Sequence, residues 1–95
     1  MAALDPALVA PARLQLMSLA AATSKIEFAT LREAVGVSDS VLSKHLAALA
    51  AEGYLTSTKG VHAGRRTTWV ALTPEGRGAL SAHVAELRRI TAGIE

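Results

Sequence analysis

The stretch VGVSDSVLSKHLAALAAEGYL, residues 35–55, contains the signals that decide the fold. Gly36 is typical of a helix end, and Ser38 just after it is a favoured N-cap for the next helix. Gly53 is a second stop signal, so we predict a helix over residues 38–52. Three leucines recur inside it at helical spacing and predict one buried stripe: Leu42, Leu46 and Leu49.

A shorter helix is predicted immediately before this one. Thr30 and Glu33 have the spacing of a capping box, in which each side chain accepts a hydrogen bond from the other residue's backbone N–H. We therefore expect a short helix that begins at Thr30 and ends at Gly36. A short helix, a turn with glycine and an amphipathic helix together form a helix-turn-helix, here over about residues 30–52.

The segment before the helix-turn-helix predicts a first helix over about residues 6–22. Asp5 and Pro6 suit its N-cap and first position, while Pro11 leaves open a kink or a delayed start. Residues 26–28 then form a short extended piece.

Residues 54–72 predict a β-hairpin, because β-branched residues are frequent near both ends and the stretch from Gly60 to Gly64 supplies a turn. Thr73-Pro74 then repeats the cap-and-proline pattern and begins a last helix over about residues 74–92. This order is that of a winged helix-turn-helix. The predicted fold is therefore mainly α with a small β-hairpin wing, in a single domain over residues 1–95.

The composition excludes several classes of function. The chain of 95 residues has no cysteine, which removes disulfides, thiolate metal ligands and a cysteine nucleophile. We find no long apolar run and no secretory signal, so a soluble cytoplasmic protein is expected. A nucleophile–base–acid set, clustered carboxylates and a phosphate-binding glycine loop are also missing. We therefore expect no enzymatic activity and no cofactor.

The net charge is +2, and its positive excess lies in one short stretch. Residues 59–66, KGVHAGRR, contain three basic residues and no acid, whereas the rest of the chain is close to neutral. Localised positive charge on a small domain indicates a polyanion partner. A solvated loop tip would have the same composition, so charge alone leaves both interpretations open.

The predicted helix over residues 38–52 presents an unusual outer face. Opposite its leucines lie small hydroxyls, alanines and one lysine, where a solvated helix usually has glutamate and lysine. Such a face fits closely into a groove, and serine and lysine bind phosphates and base edges. An ordinary surface face is the alternative. The residues concerned are Ser40, Ser43, Lys44, Ala47 and Ala51.

This segment resembles the helix-turn-helix of the MarR and ArsR families of bacterial regulators. Their serine-rich opening, with its His-Leu-x-x-Leu ending, falls here on Ser38, Ser40, Ser43, His45, Leu46 and Leu49. The stretch GRRTTWVALTPEGR, residues 64–77, is similar to the wing and final-helix start of small MarR-like domains. The resemblance covers roughly residues 8–90.

The resemblance implies a homodimeric transcriptional regulator that binds double-stranded DNA. The helix over residues 38–52 would enter the major groove, and the basic wing over residues 59–66 would lie on the backbone or in the minor groove. MarR proteins are longer, with further terminal helices, which leaves any small-molecule effector of this chain unknown. The implied DNA contacts are Ser38, Ser40, Ser43, Lys44, His45, Lys59, His62, Arg65 and Arg66.

Two alternative functions remain open. A winged helix that binds other proteins usually has acids on its recognition face and no basic wing, unlike this sequence. An ArsR-type metal sensor would need ligands on the last helix, where His83 and Glu86 form an i, i+3 pair on what we predict to be an exposed face. We expect no metal site there, and we expect Trp69 to pack in the core.

The last helix also predicts a dimer interface. Leu80, Val84, Leu87, Thr91 and Ile94 recur in a heptad-like stripe, beside Ile90. The far end of this stripe should extend past the helix-turn-helix core, with the first helix contributing beside it. The predicted interface residues are Leu8, Val9, Val84, Leu87, Ile90 and Ile94.

Overall fold

The computed structural model describes residues 3–94 and has the predicted winged helix-turn-helix fold. Its strands form one antiparallel sheet in the order β1-β3-β2. The elements in chain order are α1 (Pro11–Ala21), β1 (Ile26–Glu27), α2 (Phe28–Val35), α3 (Asp39–Ala51), β2 (Leu55–His62), β3 (Arg65–Leu72) and α4 (Pro74–Thr91).

The helix-turn-helix follows its local signals. Gly36 ends α2 in the left-handed region at φ 76°, and Ser38 caps α3, accepting the Val41 N–H at 3.2 Å. The leucine stripe of α3 is fully or nearly fully buried, as predicted. It packs into a core to which every helix contributes, together with β2 and β3. The largest fully buried side chains of this core are Leu8, Leu16, Met17, Leu31, Leu42, Leu49 and Val70.

The first helix begins later than predicted, and the second begins earlier. The first starts at Pro11 rather than Pro6, because Ala10 is held extended before the proline and Asp5 instead closes an isolated turn by accepting the Ala7 N–H. The second starts at Phe28 rather than at Thr30, so the predicted capping box is wrong. Strand β1 pairs with β3 and leads directly into α2, which places the threonine inside the helix.

The hairpin strands are longer than predicted, and the turn is tighter. Ala63 and Gly64 form the whole turn, with φ of 52° and 78°, the signature of a type I′ hairpin turn. Gly60 lies within β2 opposite Thr67, so its predicted place in the turn is wrong. A Cβ at Gly60 would lie 2.8 Å from the Trp69 ring, which explains a glycine inside this strand.

The segment before α1 is anchored on α4 and on the start of the hairpin. The Asp5 backbone N–H donates to His83 Nδ1 at 3.0 Å, and the Tyr54 hydroxyl donates to the Asp5 carboxylate. His83 is only 1% exposed and Glu86 is also buried, so the prediction that this face of α4 is exposed is wrong. The anchored segment has Leu8 and Ala7 buried in the core.

The start of α4 lies against the chain that follows α3. Thr73 caps the helix by accepting the Gly76 N–H at 2.9 Å, as the sequence predicts. Gly76 lies so close to the chain at Tyr54 that an added Cβ would be 1.9 Å from its carbonyl oxygen. Gly78, in the same helix, has no neighbour within 4 Å of such a Cβ.

We expect Gly76→Ala to lower the free energy of unfolding by about 3 kcal/mol, since the methyl would overlap fixed backbone. Gly78→Ala is the matched control and should raise it by roughly 0.5 to 1 kcal/mol, because alanine is the better helix former. Urea denaturation of both variants measures these changes. Equal effects of the two substitutions would contradict the close approach at Gly76.

The Tyr54–Asp5 contact gives a pH-dependent prediction. The hydrogen bond to Asp5 and burial raise the pKa of Tyr54 to about 12. A raised pKa stabilises the fold below pH 10, the usual value for tyrosine, and this contribution is lost as the pH rises towards 12. Tyr54→Phe should therefore cost roughly 1 kcal/mol at pH 8 and less with each step above pH 10. Urea denaturation at several pH values would contradict this if the difference stayed constant up to pH 12.

Candidate nucleic-acid interface

The outer face of α3 is exposed, and its side chains are short. Ser40, Ser43, Lys44 and Ala47 are all accessible, on the side of the helix away from its buried leucines. Ser38 and Ser40 lie at the N-terminal end of this face, with their hydroxyl oxygens 3.3 Å apart. The helix thus presents hydroxyl groups and one ammonium group on a surface with little steric bulk.

The one acid in the first turn of α3 is paired. Arg32 of α2 donates to the Asp39 carboxylate at 2.9 Å across the turn of the helix-turn-helix. This hydrogen bond raises the pKa of Arg32 above its ordinary value, and the pair leaves little net charge there. The positive charge on the outer face of α3 therefore comes from Lys44.

His45 faces α1 instead of the exposed side of α3. Its Nδ1 accepts a hydrogen bond from Arg13 Nε at 3.1 Å, and the side chain is half-buried. The contact joins α1 to α3 and fixes the ring at the edge of the helix. His45 thus has a role between two helices, which turns it away from the exposed face on which the other predicted DNA contacts of α3 lie.

Strand alternation divides the basic residues of the hairpin between two faces. Side chains of a strand point alternately to its two sides, and Val70 and Leu72 point inwards to the core. Lys59 and Arg66 share the inward side, where the sheet extends past the core towards the hairpin tip. There a groove separates α3 from the hairpin, lined by Phe28, Ser43, Ala47, Ala50, Ser57, Lys59 and Thr68.

Within this groove, Lys59 is held by its cross-strand partner. Its Nζ donates to the Thr68 hydroxyl at 3.0 Å, which aims the ammonium group along the hairpin surface. Arg66 lines two adjoining pockets together with Lys59 and Thr67, so two positive charges lie near each other on this side of the hairpin.

The opposite side of the hairpin carries His62, Arg65 and Trp69. The His62 ring packs edge-on against Trp69 at 5.5 Å between centroids, and its Nε2 lies 3.5 Å from Glu27 Oε1. Lys25 lies over the Trp69 ring at 4.3 Å, and the ring is only partly buried. The prediction that this tryptophan packs in the core is therefore wrong, because it falls on the outer side of β3.

The predicted dimer residues fall into two groups. Leu8 is fully buried in the core of its own chain, so the prediction that it is available to a partner is wrong. Val9 is exposed, and Val84 and Leu87 are half-buried. The C-terminal part of the predicted stripe is the most accessible: Ile90, in the last turn of α4, is 50% exposed, and Ile94, which lies in the turn after the helix, is 81% exposed.

Val41 is exposed on α3 but is not among the DNA-binding residues that the sequence predicts. It lies in the first helical turn, beside Ser40 and one turn before Lys44. A valine at a position where helices favour an acid or glutamine is the signal that points to it.

The comparison with known families agrees with this geometry. The family described as "Winged helix DNA-binding domain" matches residues 12–91. The chain belongs to this family. A protein of Methanocaldococcus jannaschii described as uncharacterised is 29% identical over 83 residues, which cover 87% of this chain and 90% of that protein.

Solved structures of winged-helix regulators share the fold. A transcriptional regulator homologue of Pyrococcus horikoshii superposes with a TM-score of 0.85 and 24% identity, covering 94% of this chain and 88% of that one. The Mycobacterium tuberculosis regulator MosR, solved in complex with DNA, superposes with a TM-score of 0.74 and 20% identity. The match covers 94% of this chain and 63% of that one. A MarR-family regulator of Silicibacter pomeroyi superposes with a TM-score of 0.61 and 27% identity, covering 88% of this chain and 58% of that one. The resemblance to MarR-type winged helices is thereby confirmed.

Two further features of the chain bear on other functions. Across residues 3–94, no group of three or more histidine, aspartate or glutamate side chains is arranged to hold a metal ion. None of the helices in that range is both long and apolar enough to span a membrane.

Proposed function

We propose that this chain is a sequence-specific transcriptional regulator that binds double-stranded DNA as a homodimer. The observation that carries the proposal is the juxtaposition of two surfaces: the outer face of α3, with Ser40 and Lys44, and the side of the hairpin that bears Lys59 and Arg66. Ser43 of the first surface and Lys59 of the second line one groove, and the basic residues of both surfaces give this side of the molecule a positive charge.

The chemistry of α3 suits the major groove of DNA. The groove is wide enough for a helix, and its base edges offer donors and acceptors that serine and lysine bind. Small side chains would allow the helix backbone to approach the bases, and Ser38 at the capped N-terminus would face a phosphate. The positive side of the hairpin would then follow the sugar–phosphate backbone.

The exposed end of α4 supports a homodimer. Ile90 continues the apolar stripe of Val84 and Leu87 along α4, and Ile94 follows just after the helix. Exposed apolar patches of this kind are typical of association surfaces. Two-fold pairing through the terminal helices would place two recognition helices about 34 Å apart, one turn of DNA, on a pseudo-palindromic site.

Of the two alternatives, a protein-binding winged helix has less support. Lys59 lines the groove beside α3 and Arg66 the adjoining pocket, and the one acid at the start of α3 is paired with Arg32. A metal sensor has less support as well, since His83 already accepts a hydrogen bond from Asp5.

The proposed function is tested by selecting bound duplexes from a random pool. We expect a preferred sequence with two half-sites about one helical turn apart. A variant with Ser40→Ala, Ser43→Ala and Lys44→Ala should no longer show that preference, since each base contact it removes is worth roughly 1 to 3 kcal/mol. A pool that yields no preferred sequence, or a triple variant that selects the same one, would overturn the proposal.

The division of the basic residues predicts unequal effects on affinity. Arg66→Ala should weaken binding to all duplexes and flatten the plot of log K against log salt by about 0.9 for each phosphate that is no longer neutralised. Arg65→Ala removes the same charge from the other side of the hairpin and should change the slope less. Titrations at several salt concentrations measure both slopes. A larger change of slope for Arg65→Ala than for Arg66→Ala would contradict the assignment of the DNA-facing side.

The dimer is tested by sedimentation. We expect Leu87→Glu/Ile90→Glu to give a monomer at tens of micromolar protein, because two carboxylates would be buried in an apolar interface. Ala82→Glu/Ala85→Glu adds the same charge to exposed positions elsewhere on α4 and should leave a dimer. Circular dichroism shows whether each variant is folded, and Ile90→Glu alone is the milder substitute. A wild type that sediments as a monomer would refute the interface.

A further inference from the structure

Among the large apolar side chains of α3, Val41 is the one that is exposed. Its side chain is 40% exposed, and it is not among the residues that form the core or pack against it. Its neighbour Val37 does pack on the core, in which Leu42 is fully buried. Since Val37 and Leu42 occupy the two positions of a hydrophobic staple, Val41 is not needed for that contact.

Helix formation does not explain a valine at this position either. Val41 is the third residue of α3, and its N–H is already capped by Ser38. The residue that completes a capping box here is glutamate or glutamine, whose side chain reaches back to the N-cap N–H. Valine cannot do so, and as a β-branched residue it is a poorer helix former. Neither the core nor helix formation therefore requires a valine at position 41, and a contact outside the chain would account for it.

The surroundings of Val41 indicate what that contact is. Lys44 and Ala48 follow it by three and seven residues, so the three lie along one side of the helix, with Ser40 adjacent. Lys44 and Ser40 are polar and suit phosphates and base edges, whereas Val41 offers only methyl groups. On the major-groove edges of the four bases, the C5-methyl of thymine is the one apolar group.

We propose that Val41 determines specificity by contacting the C5-methyl group of a thymine in each half-site. The inference rests on the proposed function, since it requires α3 to lie in the major groove. A glutamate at this position would complete the capping box but would place a carboxylate near phosphates. Valine gives up that local stabilisation and gains an apolar contact that distinguishes thymine from the other three bases.

The test uses the preferred duplex from the random pool and replaces its thymines with uracil, one at a time. Uracil lacks only the C5-methyl group, so base pairing is unchanged. For one thymine per half-site, we expect the affinity of the wild type to fall about four-fold, the value of one buried methyl group. With Val41→Ala, the same replacement should change affinity by less than about 1.5-fold, because the apolar partner of the methyl group is already absent.

Two further variants separate this contact from a general effect of the substitution. Val61→Ala removes the same methyl groups from a valine of the hairpin that is 66% exposed and pairs with Arg66. Whatever its effect on overall affinity, it should retain the full uracil effect at that thymine. Val41→Ile keeps the apolar contact and should also retain it. Val41 is exposed, so thermal unfolding should show all three variants folded.

The outcomes distinguish the two proposals. If the protein selects a preferred duplex but no uracil replacement depends on residue 41, the thymine contact is refuted and the DNA-binding function stands. An equal loss of affinity on uracil replacement in the wild type and in Val41→Ala would also refute the thymine contact and leave the DNA-binding function standing. A pool without a preferred duplex refutes the DNA-binding function, and the thymine contact with it.

Discussion

The register of the hairpin is the constraint on which the candidate interface depends. Leu55 pairs with Leu72, and Ser57 with Val70, so that the apolar side of β3 faces the core. A slip of one residue would expose Val70 to solvent. All the remaining side chains of the strand would also move to the opposite face. The positions of the hairpin charges that we propose to face DNA are therefore set by hydrophobic burial elsewhere in the same strands.

The rotation of α3 is fixed in a comparable way. Its leucine stripe is buried, and the hydrogen bond from Arg13 to His45 holds one edge of the helix against α1. What remains outside includes hydroxyls, a lysine and the methyl groups of Val41 and three alanines. A rigid helix with such a face presents its contacts in one arrangement, which reduces the entropy lost on binding.

The polar anchor of the N-terminal segment decides which apolar residues remain for a partner. Asp5 is bound by both His83 and Tyr54, and this contact holds Leu8 in the core. Val9 and the far end of α4 are left outside. His83, which the sequence alone offers as a metal ligand, therefore has a structural role: it helps to hold the N-terminal segment against α4.

The sequence by itself determined α3, the end of α2, the start of α4 and the presence of a hairpin. Each depends on a signal within a few residues, such as the Ser38 cap or the glycine at position 36. Only the tertiary structure decided where α1 and α2 begin, how far the strands extend and which face each basic residue occupies. Those features depend on partners distant in the chain, as when β1 pairs with β3 and removes the role of Thr30 as a cap. The burial of His83 could not be predicted from the sequence for the same reason, since its hydrogen-bond partner Asp5 is 78 residues away in the chain.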